Sequence, residues 1–352
     1  MGMNGVRTVL WRKGEVTARD FPIEEVSDHL EEEGALVWVD VCEPAQRDLI
    51  KLAEELSLDP HAVEDAIEEA SRPKATAHEH HTFVSVYATR LDRPPESGIP
   101  QDQILNSRLR LTKVSAFVLR RGIITVRDND VFDMREVTKR WEENSNLLQL
   151  GGSALLHGLL DVIVDGHFDT VQQLDDAIES LEDGLFAEQT PTRTTQQRTF
   201  RIRKELVELR RVITPMREVV GAVMRHRSEW HKDGNDLDGW FADLYDHAVR
   251  AAEWTESLRD MITSIFETSL SLQDARLNTV MKKLTAWAAI HRRADRRHRV
   301  VRAERALPRV SGTLGRVVLH RRHRCGCSDA LPHVQTQGLA VAGSARNPGA
   351  AG

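Results

Sequence analysis

The chain has 352 residues, of which 40% are hydrophobic and 29% charged, which is typical of soluble, helix-rich proteins with two or three domains. It has three cysteines, too few for a disulfide framework, and its first residues, MGMNGVRTVLWRKG, lack the apolar segment of a signal peptide. No run of about 18 apolar residues occurs, so we expect the chain as written to cross no membrane and to be cytoplasmic.

The net charge of −6 hides a strong asymmetry along the chain. Residues 291–352 contain thirteen arginines, no lysine and three acids, a net charge of +10, so the rest of the chain carries −16. An acidic body with a basic tail is typical of proteins that bind nucleic acid through an arm.

Residues 1–150 alternate between strand and helix signals and are expected to form one α/β domain. Two segments, 44–58 and 61–70, have the apolar spacing of amphipathic helices. The segment LDRPPESGIPQD predicts a loop between two strands. Short β-branched runs predict five strands: VRTVLW, ALVWVDV, TFVSVYATR, SAFVLRR and GIITVR.

Residues 151–236 lose the strand signal and predict a helical hairpin. The segment TPTRTT separates its two helices, and HKDGNDLDG ends the second. The apolar positions of the first, very acidic helix are Leu174, Ile178, Leu181 and Leu185, and those of the second are Ile202, Leu206, Leu209, Ile213, Met216 and Val220.

Residues 237–290 predict a third, very long helix, because no Pro or Gly occurs between Trp240 and Ile290. At 1.5 Å per residue it would measure roughly 75 Å, which suits a stalk or an oligomer axis. From His291 the sequence has no periodicity, so residues 291–352 are expected to be an unstructured, Arg-rich tail.

Several of these segments together resemble the cytoplasmic domain of the CorA family of magnesium and cobalt channels. The resemblance rests on LVWVDVCEP, on LSLDPHAVEDAIEEASRPK, on HTFVSVYATR, and on the segment from FADLYDH to MKKLTAW, which is similar to the family's long helix. It covers about residues 5–290. It implies an α+β protein with a mixed α/β/α domain, an acidic helical hairpin and a stalk helix.

The resemblance also implies a function. The chain would be a subunit of a homopentameric Mg²⁺ channel in the cell membrane, with Co²⁺ as a second transported ion and Mg²⁺ also as a regulatory ligand. The family senses its ion with carboxylates between protomers, and Mg²⁺ prefers oxygen ligands. By motif these are Asp65 and Asp243, with Glu64 as a neighbour and Glu267 on the pore side of the stalk. For each acid the alternative is a solvated helix face.

The arginines after Ile290 stand where the family continues with an apolar membrane helix. The segment HRRADRRHRVVRAERALPRVS has a back-translation that, one base later, encodes IAVPTAVTGLYGQNVPYPGF, an apolar helix ending in a family-like signature. LPHVQTQGLAV likewise yields YLTFKRKDWL and a stop. We therefore interpret residues 291–352 as an out-of-frame translation and expect the chain as written to be transport-incompetent.

Other motifs favour simpler interpretations. The four residues His78 to His81, HEHH, have the composition of a transition-metal cluster but are better explained as a polar approach to a strand. Cys325 and Cys327 have no selected role in a shifted frame.

Lys282 and Lys283 suit a basic ring at a channel mouth. No catalytic motif occurs, so an enzyme is not predicted.

The alternative function is a soluble nucleic-acid-binding protein with a basic arm, because the arginines could neutralise phosphates. The arm contains no aromatic residue on which bases could stack, so no nucleic-acid partner is expected.

Overall fold

Seven strands form a single mixed sheet in the computed structural model, which describes residues 5–68, 71–92, 108–187, 193–230 and 236–305. The strand order is β2-β1-β3-β7-β6-β5-β4, and only the β3–β7 pair is parallel. The strands are β1 (Val6–Arg12), β2 (Glu15–Arg19), β3 (Ala35–Cys42), β4 (Lys74–Ala77), β5 (Thr82–Leu91), β6 (Leu109–Leu119) and β7 (Gly122–Arg127).

Eight α-helices flank or extend this sheet within the described residues. They are α1 (Val26–Glu31), α2 (Gln46–Glu55), α3 (Pro60–Ile67), α4 (Met134–Glu143), α5 (Gly152–Ala187), α6 (Arg193–Ile213), α7 (Met216–Trp230) and α8 (Asp238–Arg305). Residues up to Asp274 form one compact unit, and the second unit begins at Ala275.

The sheet is buried on both faces, which explains why its central strands are almost continuously apolar. Successive side chains of a strand point to opposite faces. Trp38 therefore joins a core formed with α4, α5, α7 and the start of α8, whereas Val37 and Val39 join a second core formed with α1, α2 and α3.

A third core lies between helices rather than on the sheet. It joins apolar side chains of α5, α6 and α8, and residues at the ends of β5 and β6 close it. Among the described residues, the buried apolar side chains end at Ile265 on α8. From Leu277 onward the described side chains of α8 are exposed, including Leu284 and Trp287.

The predicted fold class is confirmed, and the five predicted strands and the two short helices occur where expected. Among the described residues, no helix is long and apolar enough to cross a lipid bilayer. The tip of the predicted β5–β6 loop, together with residues 306–352, lies outside the described residues. The domain boundaries near 150, 236 and 290 remain predictions.

Two helical predictions were wrong in detail. The second helix of the hairpin was expected to run through Ile213 and Met216, but Pro215 stands between them and divides it into α6 and α7. Regular structure was expected to end at Ile290, but α8 continues to Arg305. Arg and Ala are good helix formers, and no Pro or Gly interrupts this segment, so the helix continues whatever the origin of the sequence.

Candidate metal-binding residues

Asp65 lies on α3, whose start is well determined by its sequence. Asp59 is the N-cap, and its carboxylate accepts hydrogen bonds from the backbone N–H groups of His61 (2.9 Å) and Ala62 (3.1 Å), while Pro60 occupies the first helical position. The Asp65 side chain is 28% exposed and forms an ion pair with the Nζ of Lys74 at 2.5 Å. A cation at Asp65 would therefore compete with Lys74.

The C-terminal end of α3 is held by a buried lysine from the sheet. The Nζ of Lys113 on β6 donates hydrogen bonds to the backbone carbonyl oxygens of Asp65 and Glu68, both at 2.5 Å. Burial lowers the pKa of Lys113, an effect that the nearby acids Glu68, Asp128 and Asp65 oppose. These bonds fix the backbone of Asp65 relative to the sheet.

Asp243 lies near the start of α8 and points to solvent, because its neighbours Phe241 and Leu244 are buried in the sheet core. Its side chain is 70% exposed, and its Oδ1 lies 3.7 Å from the Nε2 of His247 one turn later. Glu64 on α3 and Glu267 on α8 are also exposed.

One chain does not bring the predicted acids together. Asp65 lies on α3, which packs on one face of the sheet, whereas Asp243 lies on the part of α8 that packs on the other face. Joint binding of one ion by these two carboxylates would therefore require two copies of the chain.

The structure shows a group of potential ligands that the sequence did not predict. Asp161 and Asp165 on α5 and His247 on α8 have ligand atoms within 4.8 Å of one another. Arg140 donates hydrogen bonds to both carboxylates, and its distance to Asp165 is 2.7 Å. One sequence signal could have indicated this group. Asp161 and Asp165 are four residues apart, as are Asp243 and His247, and this spacing places each pair on one helix face.

The HEHH segment forms no comparable group. The His78 ring stacks on His81 with ring centroids 4.8 Å apart, and its Nδ1 lies 3.4 Å from Asp59. His81 is buried, neither ring nitrogen has a hydrogen-bond partner among the described residues, and burial lowers its pKa to about 4. The segment leads into β5, as the simpler interpretation predicts. Cys325 and Cys327 lie outside the described residues.

Comparison with known proteins identifies the family. The family model described as "CorA-like Mg2+ transporter protein" matches residues 33–291, about three quarters of the chain. The chain belongs to this CorA-like family. The match includes all four predicted acids, and it ends at the point where the arginine-rich tail begins.

Individual CorA relatives agree with this assignment. The cobalt/magnesium transport protein CorA of Thermotoga maritima is 28% identical over 255 residues, which are 72% of this chain and 68% of the relative. Two solved structures, both from Methanocaldococcus jannaschii, show the same fold. The complete CorA magnesium transporter has a TM-score of 0.60 at 19% identity, covering 81% of this chain and 82% of its own. The soluble domain of that CorA has a TM-score of 0.57 at 17% identity, covering 77% and 99%.

Proposed function

We propose that this chain is a subunit of a CorA-type channel for Mg²⁺ and Co²⁺, and that its membrane part is replaced by an out-of-frame tail. The observation that carries the proposal is the end of the family match at residue 291, where a run of arginines begins. At the same position, a back-translation of the chain that is read one base later encodes an apolar helix and a family-like signature. The printed chain would then be transport-incompetent and cytoplasmic, whereas the repaired chain would lie in the cell membrane.

Growth of magnesium-transport-deficient bacteria at low Mg²⁺ tests this proposal. A gene that encodes the chain as written should not support growth, because arginines in the hydrocarbon core cost about 2.5–3.5 kcal/mol each on insertion scales. Deletion of one base between the codons of Ile290 and His291 should restore growth and move the product to the membrane fraction. Growth with the printed chain, or early stop codons in the repaired frame, would refute the proposal.

We also propose that Mg²⁺ regulates the protein by binding between protomers at Asp65 of one chain and Asp243 of the next, with Glu64 nearby and Glu267 on the axial side of the stalk. The high exposure of Asp243 and the position of the two acids on opposite faces of the sheet support an ion shared between chains. Asp161, Asp165 and His247 add ligands beside Asp243.

Limited proteolysis of the chain with and without millimolar Mg²⁺ tests the regulatory site. Mg²⁺ should slow cleavage of the wild-type body, and Asp243→Ala should abolish this protection. Asp260→Ala is a matched control, because Asp260 is an exposed acid farther along the same helix. Equal protection of the wild type and Asp243→Ala would exclude this assignment.

A homo-oligomer, pentameric as the resemblance implies, would form along the stalk. Its support is an exposed apolar stripe on α8 with the spacing of a coiled-coil seam, formed by Leu277, Val280, Leu284 and Trp287, each more than half exposed. No feature of the described residues favours the alternative of a nucleic-acid-binding protein.

A further inference from the structure

A large cavity lies at one edge of the sheet, on the side where the parallel strands β3 and β7 begin. Its volume is about 1070 Å³, slightly above the range of about 300–1,000 Å³ that is usual for small-molecule sites. Apolar side chains, among them Leu36, Leu150 and Val223, form part of the wall. The cavity therefore has room for an organic molecule and not only for a small ion.

The charged groups that line the cavity are mostly cationic. Among the described residues of the wall they are Lys13, Arg120, Arg121 and Arg227, together with one acid, Glu79. Lys13 and Arg120 form no ion pair with any described residue, and Arg121 donates to the backbone oxygen of Glu31. Because residues 1–290 carry a net charge of −16, this concentration of positive charge contrasts with the rest of the body.

Arg227 is the most deeply buried cation of the cavity wall whose side chain is only partly hydrogen-bonded. Its side chain is only 8% exposed, and its Nε–H has no hydrogen-bond partner among the described residues. The guanidinium lies 4.5 Å from the centre of the Phe241 ring, and its Nη1 lies 3.4 Å from the exposed carboxylate of Asp238. A buried donor without a partner is costly. An anion that reached the guanidinium from the cavity would add to the ion pair with Asp238.

The positive end of α5, a helix of 36 residues, also opens onto the cavity, since Gly151 and Ser153 are part of its wall. Two glycines allow the start of α5 to lie close to the backbone between β6 and β7. A side chain at Gly152 would collide with the backbone oxygen of Leu119, and Gly151 has a φ of +83°. Helix N-termini attract phosphate groups through their dipole and their N–H groups. The N–H groups of Gly152 and Ala154 already donate to the backbone oxygens of Arg120 and Gly151, so at α5 the dipole is the main source of this attraction.

We propose that this cavity binds an organic phosphate of about nucleotide size. The phosphate would lie between the α5 N-terminus and the guanidinium groups of Arg120 and Arg227, whose planar donors match phosphate oxygens. The organic part would pack against the apolar wall. This site is separate from the metal-binding residues, and the proposal does not depend on transport or on Mg²⁺ sensing.

Isothermal titration calorimetry of the full-length chain tests the proposal, in a low-salt buffer freed of divalent cations on a chelating resin. The probes are ADP, inorganic pyrophosphate and adenosine. ADP should bind, pyrophosphate should bind more weakly, and adenosine should not bind. Arg120→Ser and Arg227→Met should each weaken ADP binding by at least about tenfold, as expected for a lost charge-assisted hydrogen bond. Arg47→Ser, an exposed cation on α2, is the matched control and should bind ADP as the wild type does.

The other outcomes contradict the site. Absence of ADP binding, or equal binding of ADP and adenosine, would exclude a phosphate site. Pyrophosphate binding as tightly as ADP would exclude an organic ligand. Arg120 is exposed, so Arg120→Ser should remain folded, which circular dichroism can verify. If this folded variant binds ADP as tightly as Arg47→Ser does, the proposed position of the phosphate is wrong.

Discussion

The ion pair between Lys74 and Asp65 should oppose Mg²⁺ binding at the proposed regulatory site. The two side chains are 39% and 28% exposed, and they are 2.5 Å apart. Mg²⁺ must displace the lysine to coordinate this carboxylate. Replacing Lys74 with Gln should therefore increase the affinity of the site for Mg²⁺.

The expected size of the effect follows from the exposure of the pair. Ion pairs near the protein surface contribute about 0.2–1 kcal/mol, because water screens both charges. Removing the competitor should therefore tighten Mg²⁺ binding by up to about fivefold. The midpoint of Mg²⁺-dependent protection from protease should shift to a lower Mg²⁺ concentration by this factor.

Arg72→Gln is the matched control. It removes the same charge two residues away, but Arg72 pairs with Glu218 at 3.3 Å and not with Asp65. An unchanged midpoint in Lys74→Gln would show that Asp65 does not bind the ion. Equal shifts in both variants would show a general effect of charge rather than direct competition.

Three further predictions concern stability. Asp40→Ala should lower the free energy of unfolding in urea by about 3–5 kcal/mol, because Arg127, hydrogen-bonded to Asp40 at 2.7 and 3.1 Å, would remain buried without its partner. Arg135→Ala, at an exposed ion pair, is the control and should leave the free energy of unfolding nearly unchanged. Gly152→Ala should cost about 1–3 kcal/mol through its collision with the sheet and lower the melting temperature; an unchanged melting temperature would contradict this. Burial lowers the pKa of His167 to about 4, so this histidine takes up a proton in the unfolded state before it does so in the folded state as the pH falls. The free energy of unfolding should therefore decrease between about pH 6.5 and 4, by up to roughly 1.4 kcal/mol per pH unit. His167→Gln should reduce this slope, and identical slopes would refute the assignment.

The strongly apolar elements were predictable from sequence, whereas the short polar ones were not. β3 and β7 are runs of β-branched residues buried on both faces, and such runs have few alternatives to a central strand. β2 is mostly exposed, and the alternation in its sequence EVTAR rests on only two small apolar residues, Val16 and Ala18, which is too short to predict a strand. Only the Lys13–Gly14 pair, with φ of 55° and 82°, marks the hairpin that creates it.

The candidate site was predictable only where a motif carried it. The motifs name Asp65 and Asp243 as candidates, and their role remains a prediction. The motifs contained no sign that Lys74 pairs with Asp65, since β4 was not predicted. The group joins Asp161 and Asp165 on α5 to His247 on α8, and the histidine lies more than eighty residues after the two acids in sequence. Such a contact depends on how α5 and α8 pack, which no local pattern specifies.

The position of the last buried apolar residue has a consequence for synthesis on the ribosome. Because Ile265 completes the helical core, every described core residue has been translated before the ribosome reaches codon 291. Domains fold as units during synthesis, with the N-terminal part first. A change of reading frame after Ile290 therefore arrives too late to alter the body's core. Under the proposed change of frame, the nascent chain would retain the fold of its body without a pore, so cells expressing this gene should accumulate a folded product rather than an immediately degraded one.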